Sequence, residues 1–498
     1  MTAANSGETG ITQANQMLQQ AIAALDQGHL PAAELLLTKI TRLELRNAEA
    51  FAVFGDLRRI QQRPYQACGM YKKAIELNPN HYAALCNLAI LQSDVSELGK
   101  NEELLRRAIV VAPDQPNAYV NLGYILQQSA RHSEAISQYQ AALELFPQSA
   151  MIYFNIGNAY FALERHDAAI KAWRTAIECD PAFGETYWNL AQVLLLTGNY
   201  ADGWAALAKR SLSSALSPAT PHFHHHPQWT GGEISGKRVL LWGEQGFGDE
   251  IQFARFATSI AERGAIVILA VHPKNQKILT NVVGVSQSVS RAADLPTFDL
   301  HCALMDIPLL LHTTLDSIPA TPYICADEDL EQRWALRLPR RRRLRVGLVW
   351  SSGVFSHDPA LYQVGMSKSI DLSLFAKLWS LNADFFSLQP GSKNSTAGTP
   401  IFDWGDEFSN FADTAALVSN MDLVISVDTA VAHLSGALGI STWVLLKKQA
   451  DWRWGTEVKT PWYARARLFR QSKAGDWGDP FLEVTKALTE LIANSSYR

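Results

Sequence analysis

The chain has no run of 18 apolar residues, no C-x-x-C pair and no marked excess of either charge. Each absence removes a class. Without a long apolar run no membrane-spanning segment can be read, and the N-terminal "MTAANSGETGITQANQ" lacks the charged and apolar regions of a secretory signal. The five cysteines (Cys68, Cys86, Cys179, Cys302, Cys325) are odd in number and widely spaced. That pattern fits neither a disulfide framework nor a zinc site, and they read as small buried residues in a reducing compartment. With 44 Lys and Arg against 48 Asp and Glu, the net charge of -4 gives no broad attraction to nucleic acid or to an anionic membrane. The single dense basic stretch, "PRRRRLR" at 339–345, reads as a solvated linker. G-x-S-x-G and H-E-x-x-H are missing too, which counts against a triad hydrolase and a zinc enzyme. The expectation is a soluble, cytoplasmic chain that needs no metal and no resident cofactor, too long at 498 residues for one core.

What is present first is a repeat. Pro79, Pro113, Pro147 and Pro181 stand 34 residues apart, as do Ala74, Ala108, Ala142 and Ala176. Gly55, Ala89, Gly123, Gly157 and Ala191 keep the same period. The unit "NAYVNLGYILQQSARHSEAISQYQAALELFPQSA" (117–150) resembles the tetratricopeptide repeat: two antiparallel helices packed through small residues, the second ended by proline. Copies start near 13, 49, 83, 117 and 151, and a partial copy from 185 ends near "GWAALAKR". The incomplete last copy is expected to pack on the following domain. Asn87, Asn121, Asn155 and Asn189 also recur at this period. Two readings stay open: an amide ladder on the concave face that bonds a peptide backbone, or a residue that bonds within its own repeat. A polypeptide partner is the default for such an array.

Beyond residue 213 a Ser-, Pro-, Gly- and His-rich stretch reads as a linker. Its His222, His224, His225 and His226 have no Cys, Asp or Glu close by and are not read as metal ligands. Short apolar runs then alternate with helical patterns in two series: "RVLLW", "AIVILAV" and "FDLHCAL", then "LRVGLVW", "DFFSLQ", "DLVISV" and "STWVLL". Such alternation implies two parallel sheets with helices on both faces, so two Rossmann-like domains about a cleft, with chemistry in the turns after the strands. The expected boundaries are 13–212 for the repeats, 213–236 for the linker, 237–338 for the first α/β domain and 339–498 for the second.

Two turns carry candidate chemistry. In "GEQGFGDE" (243–250) the glycines follow the reverse of G-x-G-x-x-G and no P-loop lysine follows. The structural reading gives Asp249 as helix cap, Gln252 as its capping-box partner, and glycines that supply positive φ. The functional reading has Glu244, Asp249 and Glu250 at the cleft edge, with a carboxylate that accepts a proton from an incoming hydroxyl. The second turn, in "DLVISVDTAVAHLSGALGISTW", opens a short helix at Asp428-Thr429-Ala430 and offers free amides, a helix dipole and the Thr429 hydroxyl to a phosphate, with His433 one turn further. Weaker candidates are Asp327-x-Asp329, read as the acidic start of a helix, and "DWRW" (451–454), read as a stacking surface or as a buried tryptophan anchor.

"GEQGFGDEIQFARF", "FFSLQPG", "FADTAALVSNMDLVISVDTAVAHLSGALG" and "DWRWG…PWYARARLFRQ" resemble the bacterial tetratricopeptide-repeat glycosyltransferases, whose catalytic half is similar to the heptosyltransferases and, more distantly, to the O-GlcNAc transferases. The resemblance implies an all-α superhelix followed by a metal-independent GT-B fold, with a nucleotide-sugar donor held mainly by the C-terminal domain. It implies that Asp249 is the catalytic base and that Lys368 neutralises the leaving diphosphate. Asp428, Thr429, Ala430, His433, Gln389 and Trp350 fall at the donor site, and Gly246, Gly248 and Glu250 on the acceptor loop. The sequence departs from the family after Trp350, at "SSGVFSHDPALYQVG", and at Lys447-Lys448 before "QADWRW". The expected function is transfer of a sugar to a Ser or Thr hydroxyl of a protein held by the repeats. The alternatives are an interaction scaffold with a degenerate transferase half, and an enzyme that acts on a glycan or lipid-linked acceptor.

Overall fold

The computed structural model describes residues 4–43, 46–92, 97–213, 223, 225–244, 246–352 and 359–494. The chain divides into two compact units, Met1–Thr186 and Tyr187–Arg498. Helices α1 (Ala4–Asp26), α2 (Leu30–Leu43), α3 (Ala48–Ile60), α4 (Pro64–Leu77), α5 (Tyr82–Leu91) and α6 (Leu98–Val111) begin an antiparallel array. It continues through α7 (Pro116–Gln128), α8 (His132–Leu145), α9 (Ala150–Ala162), α10 (His166–Cys179), α11 (Gly184–Leu196) and α12 (Tyr200–Leu207).

The conserved-period columns have direct physical causes. Each second helix ends where the residue before the periodic proline donates to the periodic alanine: Asn78, Ala112, Phe146 and Asp180 N–H bond the carbonyls of Ala74, Ala108, Ala142 and Ala176, at 2.9, 3.0, 2.9 and 2.9 Å. Proline has no N–H to continue the ladder. The Gly/Ala column is set by the residue 16 positions on. A Cβ on Gly55, Gly123 or Gly157 would lie 2.4, 2.4 and 2.3 Å from the ring atoms of Tyr71, Tyr139 and Trp173. Where the column holds alanine, at 89 and 191, the facing position holds the smaller Leu105 and Leu207. The turn between paired helices repeats as well: Gly28, Gln62, Ala130, Glu164 and Gly198 have φ of 72°, 59°, 57°, 58° and 84°, the left-handed region.

The second unit holds two parallel sheets. β1 (Arg238–Trp242), β2 (Ile266–Val271), β3 (Val285–Ser290) and β4 (Leu300–Ala303) form one in the order β3-β2-β1-β4. β5 (Leu344–Val349), β6 (Ala383–Ser387), β7 (Ile401–Asp403), β8 (Leu423–Val427), β9 (Thr442–Leu446) and β10 (Ala466–Arg470) form the other, in the order β10-β9-β8-β5-β6-β7. Strand β5 is buried at every residue, as a central parallel strand covered on both faces must be. The helices are α13 (Phe247–Phe253), α14 (Phe256–Glu262), α15 (Pro273–Leu279), α16 (Ile307–Leu310), α17 (Glu328–Arg337), α18 (Pro359–Lys368), α19 (Phe411–Val418), α20 (Ala430–Ala437) and α21 (Gly478–Asn494). This is the expected order, a helical repeat array and then two parallel α/β sheets consistent with a GT-B-like pair.

Several local expectations are corrected. The helical pattern after "RVLLW" breaks into α13 and α14, that before "DFFSLQ" holds a 3₁₀ segment (Leu372–Leu378), and β3, β7 and β10 carry too little apolar contrast to stand out in the sequence. Cysteines 86 and 302 are buried, but Cys68 and Cys179 are half-buried and Cys325 is exposed. None of Gly243, Gly246 and Gly248 is among the positive-φ glycines. Helix α12 packs inside the second unit, as the truncated last repeat implied: Trp204 meets Phe253, Trp452 and Trp462 edge-on and donates its indole N–H to Thr313 O (2.9 Å). Among the described residues no helix is long and apolar enough to cross a membrane.

Candidate active site

Strand order places the crevices. In the second sheet the chain runs from β5 out to β7, then returns to the other flank of β5 as β8, so the switch point lies between the carboxyl ends of β5 and β8. Trp350-Ser351 and Asp428-Thr429 follow these two strands, Gln389 follows β6, and Lys447 follows β9. In the first sheet the switch lies between β1 and β4, next to the turn at 243–250.

The two candidate turns meet. A Cβ on Gly248 would lie 2.9 Å from His433 Cδ2 and 3.4 Å from Ala430 Cα, so glycine is required there because the starts of α13 and α20 touch. Gly243 has a similar cause: its Cβ would lie 2.3 Å from Glu250 Oε1. Gly246 caps α13, and Asp249, three residues in rather than at the cap, accepts from the Gly246 N–H at 3.0 Å. The other Asp249 oxygen accepts from Arg453 Nη2 at 2.5 Å. The side chain stays 22% exposed, enough for a small group to reach it. Burial raises its pKa, with Arg453 the main opposing influence.

Across the crevice Lys368 pairs with Asp428 at 2.6 Å, and the Trp454 indole donates to the other Asp428 oxygen at 2.8 Å. Burial opposes both charges. The partner charge outweighs it, so the lysine pKa is raised and the aspartate pKa lowered. Thr429 is the N-cap of α20, its hydroxyl 3.0 Å from Ser426 Oγ. The Ala430 and Val431 amides precede the first bond of the helix, Ala432 N–H to Thr429 O at 3.1 Å. His433 is buried, stacked on Trp454 at 5.0 Å, with Nδ1 2.9 Å from Tyr463 OH. Burial pushes its pKa down to about 3, so the ring under this helix start is neutral. Gln389 accepts from Ser351 N–H at 3.1 Å and fixes the loop after β5. Trp350 belongs to the core of the second sheet.

Other expected residues lie elsewhere or do other work. Glu250 is 1% exposed, and its carboxylate accepts from His272 N–H (3.0 Å) and Asn275 Nδ2 (2.7 Å), so it is spent inside the first α/β domain. Glu244 is buried against Arg210, which also holds Asp306 at 2.6 Å. Gln252 accepts from Arg453 Nε at 2.6 Å instead of completing a cap. Asp327 caps α17 through Leu330 N–H, 3.0 Å, as the helix-start reading has it. Trp452 and Trp454 are buried anchors rather than a stacking surface. His222 and His224 lie outside the described residues; His226 packs on Phe298 at 4.7 Å. In the array Asn87, Asn121 and Asn155 sit on α5, α7 and α9, and Asn189 on α11. Asn87 bonds Asp56 of the preceding repeat at 2.9 Å, so its amide joins two repeats rather than bonding within its own. What sequence reasoning missed is the pairing of Arg453, the arginine of "DWRW", with Asp249. The two lie 204 positions apart, and no local pattern marks such a pair.

Residues 131–164 and 157–198 match a family described as "TPR repeat", and residues 70–103 one described as "Tetratricopeptide repeat". Protein FlbA of Caulobacter vibrioides is 27% identical over 338 residues, 61% of this chain and 55% of its own length. Protein O-mannosyl-transferase TMTC3 of Homo sapiens is 30% identical over 149 residues, 26% of this chain and 16% of its own. The chain thus spans about half the length of the first relative and about a sixth of the second. Among solved structures, Pseudomonas aeruginosa pilF matches at 14% identity and a TM-score of 0.37, over 41% of this chain and 91% of its own. The protein carries tetratricopeptide repeats followed by an α/β region of two parallel sheets.

Proposed function

We propose that the α/β region is a glycosyltransferase that moves a sugar from a nucleotide-sugar to a hydroxyl of a protein acceptor. The supporting observation is the contact at Gly248 between a turn bearing the partly exposed Asp249 carboxylate and a helix start flanked by Lys368. A base and an anion seat on facing walls are what displacement at an anomeric carbon needs. The name of one relative, an O-mannosyl-transferase, agrees with this class. In this reading Asp249 takes the acceptor proton as the acceptor oxygen bonds the anomeric carbon and the carbon–phosphate-oxygen bond breaks. The departing diphosphate meets the α20 amides, the Thr429 hydroxyl and Lys368. Asp428 holds Lys368 in place, and neutral His433 forms the floor. Residues 237–338 serve the acceptor, 339–498 the donor, 213–236 link them to the array at 13–212, and that array takes the acceptor chain.

The test is Asp249→Asn, which abolishes transfer while nucleotide binding persists; turnover retained in that variant removes Asp249 from the mechanism. Thr429→Ala with Lys368→Ala weakens nucleotide binding by calorimetry, and unchanged affinity puts the donor elsewhere. A second reading, a protein-binding scaffold without turnover, draws on the Lys368–Asp428 pair that already satisfies the lysine. It predicts peptide capture with no nucleotide-sugar consumed.

A further inference from the structure

The "DWRW" arginine is not used by the function above, yet each nitrogen of its guanidinium has a side-chain acceptor. Arg453 Nη2 reaches Asp249 Oδ1 at 2.5 Å, Nε reaches Gln252 Oε1 at 2.6 Å and Nη1 reaches Asp451 Oδ1 at 2.8 Å. Two of these acceptors stand on α13 of the first α/β domain, while the arginine and Asp451 belong to the loop after β9. The guanidinium is buried and lies 4.6 Å over the Trp452 ring, so its plane is fixed before it meets the carboxylate. Gln252 is fully buried and, among the described residues, its Nε2 has no hydrogen-bond partner, so its side-chain oxygen serves Arg453. A buried donor left unpaired is a cost, and here the compensating contact is the one that orients the arginine.

We propose that Arg453 is the positioning residue of Asp249: from the opposite wall it fixes the carboxylate rotamer and holds it as an anion, ready to accept the proton of an acceptor hydroxyl. The proposal rests on Asp249 as the base. Among the described residues each Asp249 oxygen has one partner, Arg453 for one and the Gly246 amide for the other, which leaves a second lone pair on each. The other charged groups near Asp249 are Asp451 and Lys368 across the crevice and Glu250 and Glu244 on its own turn; the facing His433 is neutral. Burial and the three acids favour the protonated form, and of the two cations only Arg453 bonds Asp249 directly. Arg255 offers a control. It also ties the two halves, through Trp462 O (2.7 Å), and bonds Pro319 O (3.0 Å) in its own domain, but among the described residues it bonds no carboxylate.

The experiment titrates Asp249 in the full chain by carbon-13 NMR of carboxyl-labelled aspartate, the signal assigned by its loss in Asp249→Asn. In Arg453→Met the midpoint rises by about one pH unit or more, in Arg453→Lys it rises less, and in Arg255→Met it stays. Inorganic pyrophosphate, titrated by calorimetry, binds Arg453→Met within about threefold of the wild type. An Asp249 midpoint unmoved in Arg453→Met overturns the proposal. So does a loss of about tenfold or more in pyrophosphate affinity, which makes Arg453 a phosphate ligand instead. If Arg453→Met does not fold, Gln252→Leu is read in its place: a raised midpoint supports the proposal and an unmoved one overturns it. Failure of the catalytic reading shows separately, as turnover retained in Asp249→Asn.

Discussion

Gly123→Ala should change sign with its neighbour. The added Cβ would lie 2.4 Å from Tyr139 Cε1, 2.7 Å from Cζ and 2.8 Å from Cδ1. Tyr139 cannot yield, because it is fully buried and its hydroxyl donates to Gln127 Oε1 at 2.5 Å. Overpacking of this kind costs roughly 1–3 kcal/mol, and contacts this short belong at the upper end. Alanine in place of glycine in a helix interior returns about 1 kcal/mol, so the net cost is about 2 kcal/mol. In a Tyr139→Leu background the ring is gone and the pair matches Ala89 with Leu105 one repeat earlier. There the same substitution keeps the helix gain and adds a buried methyl worth about 0.8 kcal/mol, so it stabilises by roughly 1 kcal/mol or more. The double-mutant cycle thus carries a coupling of about 3 kcal/mol. Urea unfolding of residues 1–186, with hydrogen exchange of the α7 amides in the full chain, reads it directly. Equal effects of Gly123→Ala in the two backgrounds would refute the size-compensation argument.

Three further outcomes are expected. Ala130→Gly, at φ 57°, relieves a left-handed conformation that costs roughly 1–2 kcal/mol outside glycine and raises the urea midpoint of the array, whereas Ala→Gly at helical Ala135 lowers it. Arg210→Met leaves Glu244 and Asp306 without their shared cation, the Glu244 side chain being only 5% exposed, and costs about 3–5 kcal/mol in the second unit; Glu244→Gln made together with it recovers part of that loss. His433, depressed from 6.5 to about 3, binds more protons unfolded than folded between these values, so its contribution falls as pH drops through that window. Between pH 7 and 5 the wild type should lose about 2 kcal/mol more than His433→Gln, and equal slopes in urea would contradict a neutral buried ring.

The array was legible because its period is written in columns with local causes: an alanine carbonyl that takes the last bond, a proline that stops the helix, a glycine under a ring. The parallel strands were legible where both faces are buried, as in β5 and β8. At the site, the facing of the two turns followed from strand order, but the employment of the carboxylates did not. Glu250, Glu244 and Asp249 stand within seven residues, yet one serves a helix start, one an arginine from the last repeat, and one the crevice. Only partners 22 to 204 residues distant tell them apart. The left-handed turns at Gln62, Ala130 and Glu164 were hidden for a related reason: the residue types there disguise a backbone shape that glycine would have announced.

The lodging of α12 limits how such a chain can grow. A stack of like units can gain or lose a member wherever both faces of the unit meet copies of itself. Trp204 has instead become part of an aromatic core with Phe253, Trp452 and Trp462, drawn from both sheets' domains. Its helix is therefore no longer an interchangeable part. Length variation among relatives should fall in the repeats before Gly184, and an α/β fragment cut at the end of the repeat pattern would leave without the side chain that fills its own interior.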